Sequence, residues 1–314
     1  MSGQARRDFR AMGAACSVLV FAPQAAEGLC AVAATRVELL EQSWSRFRES
    51  SELNRLNARA GTGPVVVSSD LLSLVWHMKR AWELTDGLFD PTMLAQIKAA
   101  GYDADFATVI ARDAIASARI WAAPYRSSAM AEVVVDLEPS TVQLPRDIGL
   151  DPGAIGKGLA GDIISTEMMS AGATGVLIDL GGDIVMAGRP GDEDSWAIAV
   201  EDERHPDDGR EPRVVHFDPD EDASAIATSS TLYRRWAGGA RHHVIDPRTG
   251  DVANPEIVQA TVWCGAGWLA EVSATAALLM PKDQAVDWLQ EHQRGFAVMT
   301  PDQSFSSLVG ASRG

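Results

Sequence analysis

Residues 151–162 read Asp-Pro-Gly-Ala-Ile-Gly-Lys-Gly-Leu-Ala-Gly-Asp. Glycines surround a lysine immediately before a helical pattern. Glycine lets a backbone come close to a ligand, N–H groups at a helix start attract anions, and an ammonium there adds a point charge for phosphate. The chain has four lysines (Lys79, Lys98, Lys157 and Lys282) among 27 basic residues, so Lys157 does not belong to a general lysine coat. The segment points to a phosphate-bearing ligand; its plainer reading is a glycine-rich helix entrance with a surface lysine. The spacing is neither that of a Walker A loop nor that of a Rossmann fingerprint.

Three further groups carry possible chemistry. Glu271 and Thr275 lie four apart in an otherwise small and apolar helical run, which puts a carboxylate and a hydroxyl on one face. A hard cation such as Mg²⁺ accepts those oxygens; a hydrogen-bonded polar pair or a helix cap would equally satisfy them. His242-His243 precede Asp246-Pro247-Arg248-Thr249-Gly250, a turn sequence. Neighbouring histidines on a strand face opposite ways, so at most one serves a given pocket, either as a general base or as a structural residue. Thr228-Ser229-Ser230 follow an apolar strand and would bind phosphate or ribose, or simply end the strand. Asp162 and Asp179 read as ordinary polar positions. Neither a serine nucleophile elbow nor His-Glu-x-x-His nor Cys-x-x-Cys occurs.

Strands and helices interleave around these groups. Strands are expected over 11–21, at Ile120–Trp121 and Val133–Val135, over 175–188 in two runs about Gly181-Gly182, over 195–201 continuing a meander, over 223–227 and over 261–264. Helical spacing covers 26–47 (Val32, Val37, Leu39, Leu40, Trp44, Phe47 apolar), and Ser68-Ser69-Asp70 caps a helix to about Thr85 with Leu71, Leu72, Leu74, Val75 and Met78 inward. The glycine-rich segment opens a helix to about Ala171, and helices follow over 269–280 and 285–292. Residues 1–10 are expected to be disordered and 202–222 to be a surface excursion. The pattern predicts one α/β body over residues 1–314.

Composition narrows the partners. A net charge of −16 argues against nucleic acid or an anionic membrane as the main partner. The cysteines at 16, 30 and 264 are too few and scattered for a disulfide framework or a zinc site. No apolar run approaches the ~18 residues of a membrane span. Arg6-Arg7 looks like a twin-arginine export signal, but strand-like residues follow too soon, so a cytoplasmic protein is expected.

Taken in order, the segments resemble one family, the FAD:protein FMN transferases (the ApbE, or flavin transferase, family). The resemblance is carried by Met12-Gly13, Ser51-Glu52-Leu53-Asn54-Arg55-Leu56-Asn57, Gly87-Leu88-Phe89-Asp90-Pro91-Thr92, Asp151–Asp162, Asp179-Leu180-Gly181-Gly182-Asp183, Ala227-Thr228-Ser229, His243 through Gly250, and Ala270 through Ala276. It implies an ApbE-like α/β fold (α+β mixed), with mixed sheets flanked by helices in one compact two-lobed body, and with Met12-Gly13 beginning the first strand. It also implies a reaction: FAD and Mg²⁺ are bound, a Thr or Ser hydroxyl of a client flavoprotein attacks the FMN-side phosphorus, and AMP leaves. By position, the carbonyl of Ala154, the carboxylate of Glu271 and the hydroxyl of Thr275 would hold the metal. Lys157 and Asp151 would lie near the FAD phosphates. Met12, Phe47, Phe89 and Asp90 would lie along the flavin or adenine, with Thr228, Ser229 and Ile245 also on the cofactor, and His243 would help activate the incoming hydroxyl.

The chain departs from the family pattern at several points. Glu271 stands where aspartate is usual, adding a methylene to a ligand of a cation that demands octahedral geometry. Phe47 replaces a frequent tyrosine, Ala14 a frequent threonine, and Ser230-Thr231 a frequent Gly-Asp. Two other activities keep the same ligands: FAD pyrophosphatase, with water in place of the client hydroxyl, and FAD binding without turnover.

Overall fold

In the computed structural model, residues 3–113, 125–202, 213–220, 224–301 and, as backbone, 305–308 are described. The expected strand at Ile120–Trp121 lies outside them. In chain order the elements are β1 (Gly3–Ala11), β2 (Ala14–Ala22), α1 (Ala26–Trp44), α2 (Glu52–Asn57), β3 (Val65–Val66), α3 (Ser69–Leu84), α4 (Leu94–Ala99) and α5 (Phe106–Asp113). A 3₁₀ turn (Ala129–Glu132) follows, then β4 (Val134–Asp136), β5 (Thr141–Gln143), α6 (Gly156–Ser170), β6 (Gly175–Leu180), β7 (Ile184–Gly188), β8 (Trp196–Val200), β9 (Arg213–Phe217) and β10 (Ser224–Ser230). The last are β11 (Arg235–Trp236), β12 (Arg241–His242), β13 (Gln259–Cys264), α7 (Gly267–Leu278), α8 (Lys282–His292), β14 (Gly295–Met299) and β15 (Phe305–Leu308). Two compact units share them. One is built from residues 1–39, 157–232 and 256–314, the other from 40–156 and 233–255.

The first unit holds an eight-stranded sheet in the order β1-β2-β6-β7-β10-β13-β14-β15. Every strand pairing in the described residues is antiparallel. The α and β content matches the expectation, but the sheets are antiparallel where mixed ones were expected. Period-two alternation explains the two faces. On one, Ala225, Ala227, Cys264 and Val185 pack with Ala270 of α7. On the other, Phe21, Met186, Ile226 and Trp263 pack with Trp196, Ile198, Val215 and Phe217 of the β8–β9 hairpin. So β8 does not continue the meander. It pairs with β9 as a separate two-stranded sheet, and Arg213–Phe217, read from sequence as part of a surface excursion, is half of that cover.

The amino-terminal segment also differs from the expectation. Gly3–Ala11, expected to be disordered, pairs with β2 through its whole length. Its charged residues hid the strand, because Arg6, Arg7, Asp8 and Arg10 all lie on an exposed sheet edge, where charge is tolerated and discourages further pairing. Met12-Gly13 does not begin a strand. It is the two-residue turn between β1 and β2, with φ +51° and +71°, the left-handed pair that a tight hairpin needs.

The second unit holds the three-stranded sheet β3-β5-β4 and the pair β11-β12. α3 starts where the sequence predicted: the Ser68 hydroxyl accepts the Leu71 N–H at 3.2 Å, and Leu71, Leu72, Leu74, Val75, Met78 and Ala81 are buried. Ser51 caps α2 in the same way, accepting the Asn54 N–H at 3.0 Å. α1 ends at Trp44. Its inward residues include Val37, Leu40 and Trp44, whereas Val32 and Leu39 are exposed and Phe47 lies beyond the helix. An aromatic cluster of Tyr102, Phe106 and Trp236 packs with Leu94, Ile97 and Val109, and Ile245 lies against it.

Candidate active site

In the first unit the glycine-rich segment becomes the start of α6. The first-turn N–H of Gly158, which has no partner within its own helix, donates to Glu271 Oε2 of α7 at 2.8 Å. The Lys157 ammonium pairs with Asp183. The two anion-attracting features of the segment thus face carboxylates of the chain itself. Glu271 is 3% exposed and Asp183 4%, and carboxylates so buried persist only with partners of this kind.

The glycine run reads either as a backbone approach to a ligand or as a plain helix entrance; its Gly158 serves helix packing. A Cβ at Gly158 would come 2.2 Å from the Gly267 carbonyl oxygen, and one at Gly267 would come 2.5 Å from that of Gly158. Only glycine permits α6 and α7 to cross so closely.

Asp183 enters through the turn between β6 and β7. Gly181 and Gly182 have φ +76° and +93°, and the Leu180 N–H donates to the Asp183 carbonyl at 2.9 Å. That tight reversal sets Asp183 at the start of β7. Gly181 also makes room for Ala14: a Cβ there would stand 2.5 Å from that of Ala14. The Met12-Gly13 turn is therefore beside the Gly-Gly turn.

Hydroxyls complete this group. Ser229 and Thr275 share a hydrogen bond of 2.7 Å, Thr228 and Thr261 one of 2.9 Å, and the Thr228 N–H points to Asp183 Oδ1 at 3.4 Å. Five of the expected residues, Lys157, Thr228, Ser229, Glu271 and Thr275, thus belong to three bonded sets in one unit that adjoin through the chain neighbours Lys157–Gly158 and Thr228–Ser229. Two members were missed as site residues, Asp183 and Asp162. Asp162 accepts the N–H groups of Gly267 and Trp268 at 2.7 and 3.0 Å. Burial pushes its carboxyl up to about 6, against the pull of those two donors. The Asp179–Asp183 motif held the signal for the first and the end of the Asp151–Asp162 motif the signal for the second, whose residue type alone reads as an ordinary polar position.

Of the remaining expected residues, Met12 lies in the first unit, in the turn between β1 and β2, and the second unit carries the others. Asp151 pairs with Arg46 Nε at 3.1 Å and accepts the Gly153 N–H at 2.9 Å. The Arg46 guanidinium lies over the Phe47 and Tyr102 rings, 4.1 and 4.6 Å from their centroids, so Asp151 and Phe47 are brought together through it. Ala154 has φ +65°, an uncommon conformation for a residue with a Cβ. Phe89 is buried. Asp90 accepts the backbone N–H and hydroxyl of Thr92 at 2.9 and 2.6 Å, and burial raises its carboxyl above the usual range despite those bonds. Asp90, Trp82, Ser128 and Arg248 are among the residues lining a cavity of about 200 Å³. His243 follows β12 directly and precedes Ile245, which bridges to Val252. The chain turns at Asp246, which holds Arg248 at 2.8 and 2.9 Å.

The donors suit a hard cation. Among the described residues no three His, Cys, Asp or Glu side chains gather as a metal cluster. What α7 and β10 present instead is a carboxylate and hydroxyl oxygens, the set that Mg²⁺ takes up. The longer Glu271 side chain meets α6 at the Gly158 N–H.

A profile described as the ApbE family matches residues 12–300. A protein named FAD:protein FMN transferase from Treponema pallidum is 29% identical over 294 residues, covering 89% of this chain and 80% of its own. Its namesake from Vibrio cholerae is 27% identical over 291 residues, covering 88% and 80%. The crystal structure of the ApbE protein of Thermotoga maritima has a TM-score of 0.81 at 21% identity, covering 97% of this chain and 96% of its own. The flavin transferase ApbE from Vibrio cholerae has 0.74 at 21%, covering 99% and 98%. At such identities the structural likeness establishes the fold.

Proposed function

Because the chain belongs to the ApbE family, we propose that it transfers the FMN moiety of FAD to a threonine or serine hydroxyl of a client flavoprotein, with Mg²⁺ and with release of AMP. The observation that carries this reading is the adjoining set Lys157, Asp183, Thr228, Ser229, Glu271 and Thr275, together with relatives named for that activity.

Glu271 and Thr275 would hold the cation, with the Ala154 carbonyl as the third donor that the resemblance implies. When bound, Mg²⁺ supplies positive charge that neutralises the diphosphate as its leaving oxygen gains charge. Lys157, oriented by its buried partner Asp183, adds a second positive group for the phosphates. Asp151, Phe89, Asp90, Met12, Phe47 and Ile245 line the cofactor, and Thr228 and Ser229 offer it hydroxyls. His243 accepts the proton of the client hydroxyl. The hydroxyl oxygen bonds to the FMN-side phosphorus, the bond from that phosphorus to the bridging oxygen breaks, and AMP leaves with that oxygen.

The test is mass spectrometry of a candidate acceptor flavoprotein incubated with FAD, Mg²⁺ and this protein. One FMN moiety on a Thr or Ser, with one AMP released, is expected. AMP and FMN formed without acceptor modification would make it an FAD pyrophosphatase. Bound FAD with no AMP would leave a flavin-binding protein without turnover.

A further inference from the structure

α7 lacks a cap of its own. Ala266 occupies its N-cap position and makes no side-chain hydrogen bond to it, yet the first N–H groups of a helix need acceptors. Asp162 supplies them from α6, taking Gly267 and Trp268 together. In return Glu271 of α7 takes the Gly158 N–H of α6. Gly158 and Asp162 are four apart on one helix, Gly267 and Glu271 four apart on the other, so each helix gives the other one carboxylate and one N-terminal turn. Between the two contacts the backbones meet at Gly158 and Gly267. A single contact leaves a helix free to pivot; two contacts one turn apart fix both its rotation and its shift along the partner.

We propose that Asp162 is the positioning residue of the cation site, clamping the start of α7 on α6 so that Glu271 and Thr275 keep their register. This role rests on the function proposed above. An uncharged Asn or Ser caps a helix nearly as well without burying a charge. The carboxylate is stronger toward two N–H groups at a helix start, and a firm grip is what a geometrically demanding cation requires of its ligands.

The experiment compares the full chain with Asp162→Ala and Asp162→Asn in two ways. Amide hydrogen exchange without cation or FAD reads the clamp alone. In Asp162→Ala the Gly158 amide, which touches Glu271 and not Asp162, should exchange at least tenfold faster, while amides of β2 and β13 keep their rates; Asp162→Asn should fall between. An unchanged Gly158 rate, or a uniform increase across the sheet, overturns the proposal whatever the protein's activity. The second readout is the Mg²⁺ concentration giving half-maximal AMP release and half of the cation-induced rise in Tm. It should increase tenfold or more in Asp162→Ala with KM for FAD within twofold, and Asp162→Asn should recover most of it. An equal rise in both constants also overturns the proposal. A wild-type chain that releases no AMP and gains no Tm with Mg²⁺, while Gly158 exchange responds as expected, sinks the functional reading and leaves the clamp as a structural one.

Discussion

Lys157 and Asp183 show how one side chain holds another in a place it would otherwise avoid. Asp183 is almost wholly buried and Lys157 is its ion-pair partner. Removing one partner of a buried pair strands the other. Lys157→Met should therefore cost roughly 2–4 kcal/mol, somewhat below the range for fully buried pairs because the lysine is partly exposed. Adding Asp183→Asn should restore much of that loss in urea unfolding while AMP formation stays lost, which separates holding the fold from binding phosphate. Thr275→Val keeps the side-chain shape and gives up the hydroxyl bonded to Ser229. We expect Mg²⁺-dependent AMP formation to disappear with FAD affinity changed little; an undiminished rate would remove Thr275 from the cation's ligands. Asp162 gives a pH signature. Burial holds its carboxyl at about 6 in the folded chain against an ordinary 3.8, so folding favours its protonated form. Its contribution to stability is complete below the lower value and is lost as pH rises through the upper one, by roughly 3 kcal/mol. Urea midpoints of wild type and Asp162→Asn, compared from about pH 4 to 7, should diverge in that direction; parallel curves would contradict the shift.

At the level of elements, the crossing of α6 and α7 decides which substitutions the chain accepts. Gly158→Ala puts a methyl into the Gly267 carbonyl, and backbone cannot step aside as a side-chain tip can. Overpacking of this sort costs about 1–3 kcal/mol or more; denaturant unfolding should show it, and the Gly158 N–H should lose Glu271. This crossing also marks where reading the sequence stopped. The Ser68 cap, the apolar stripe of α3 and the Gly181-Gly182 reversal were legible because caps, helical periods and tight turns are local chemistry. β1 was not, because an edge strand needs no apolar alternation. β8 was legible only as a strand continuing a meander and β9 not as a strand at all, since pairing partners separated by residues 201–212 leave no local mark. Lys157, Glu271 and Thr275 stood out as residue types, but the sequence could not say that Gly158 faces a helix rather than a ligand. Asp162 closes the Asp151–Asp162 motif inside a helix, and its role shows only once α7 lies across it.

For the molecule as a whole, charge sets the terms of encounter. A protein of net charge −16 repels an anionic dinucleotide at a distance, whatever a lysine does at close range. The association rate of FAD should therefore rise with NaCl between about 10 and 150 mM as the screening length contracts toward ~8 Å, measured by stopped-flow flavin fluorescence. A rate that falls with salt would mean that local positive potential dominates the approach. The order in which the chain is made adds a different consequence. β10 lies between β7 and β13, yet β13, α7 and β14 come from the last of three separate stretches that build their unit. During synthesis, the side of β10 awaiting β13 has to stand open, with Ala225, Ile226 and Ala227 uncovered, until the residues from Ser230 to Cys264 have been added, at roughly 5–20 per second. Nascent chains stalled before Glu256 should consequently be caught by holdase chaperones, and a premature stop there should yield insoluble fragments rather than a smaller folded protein.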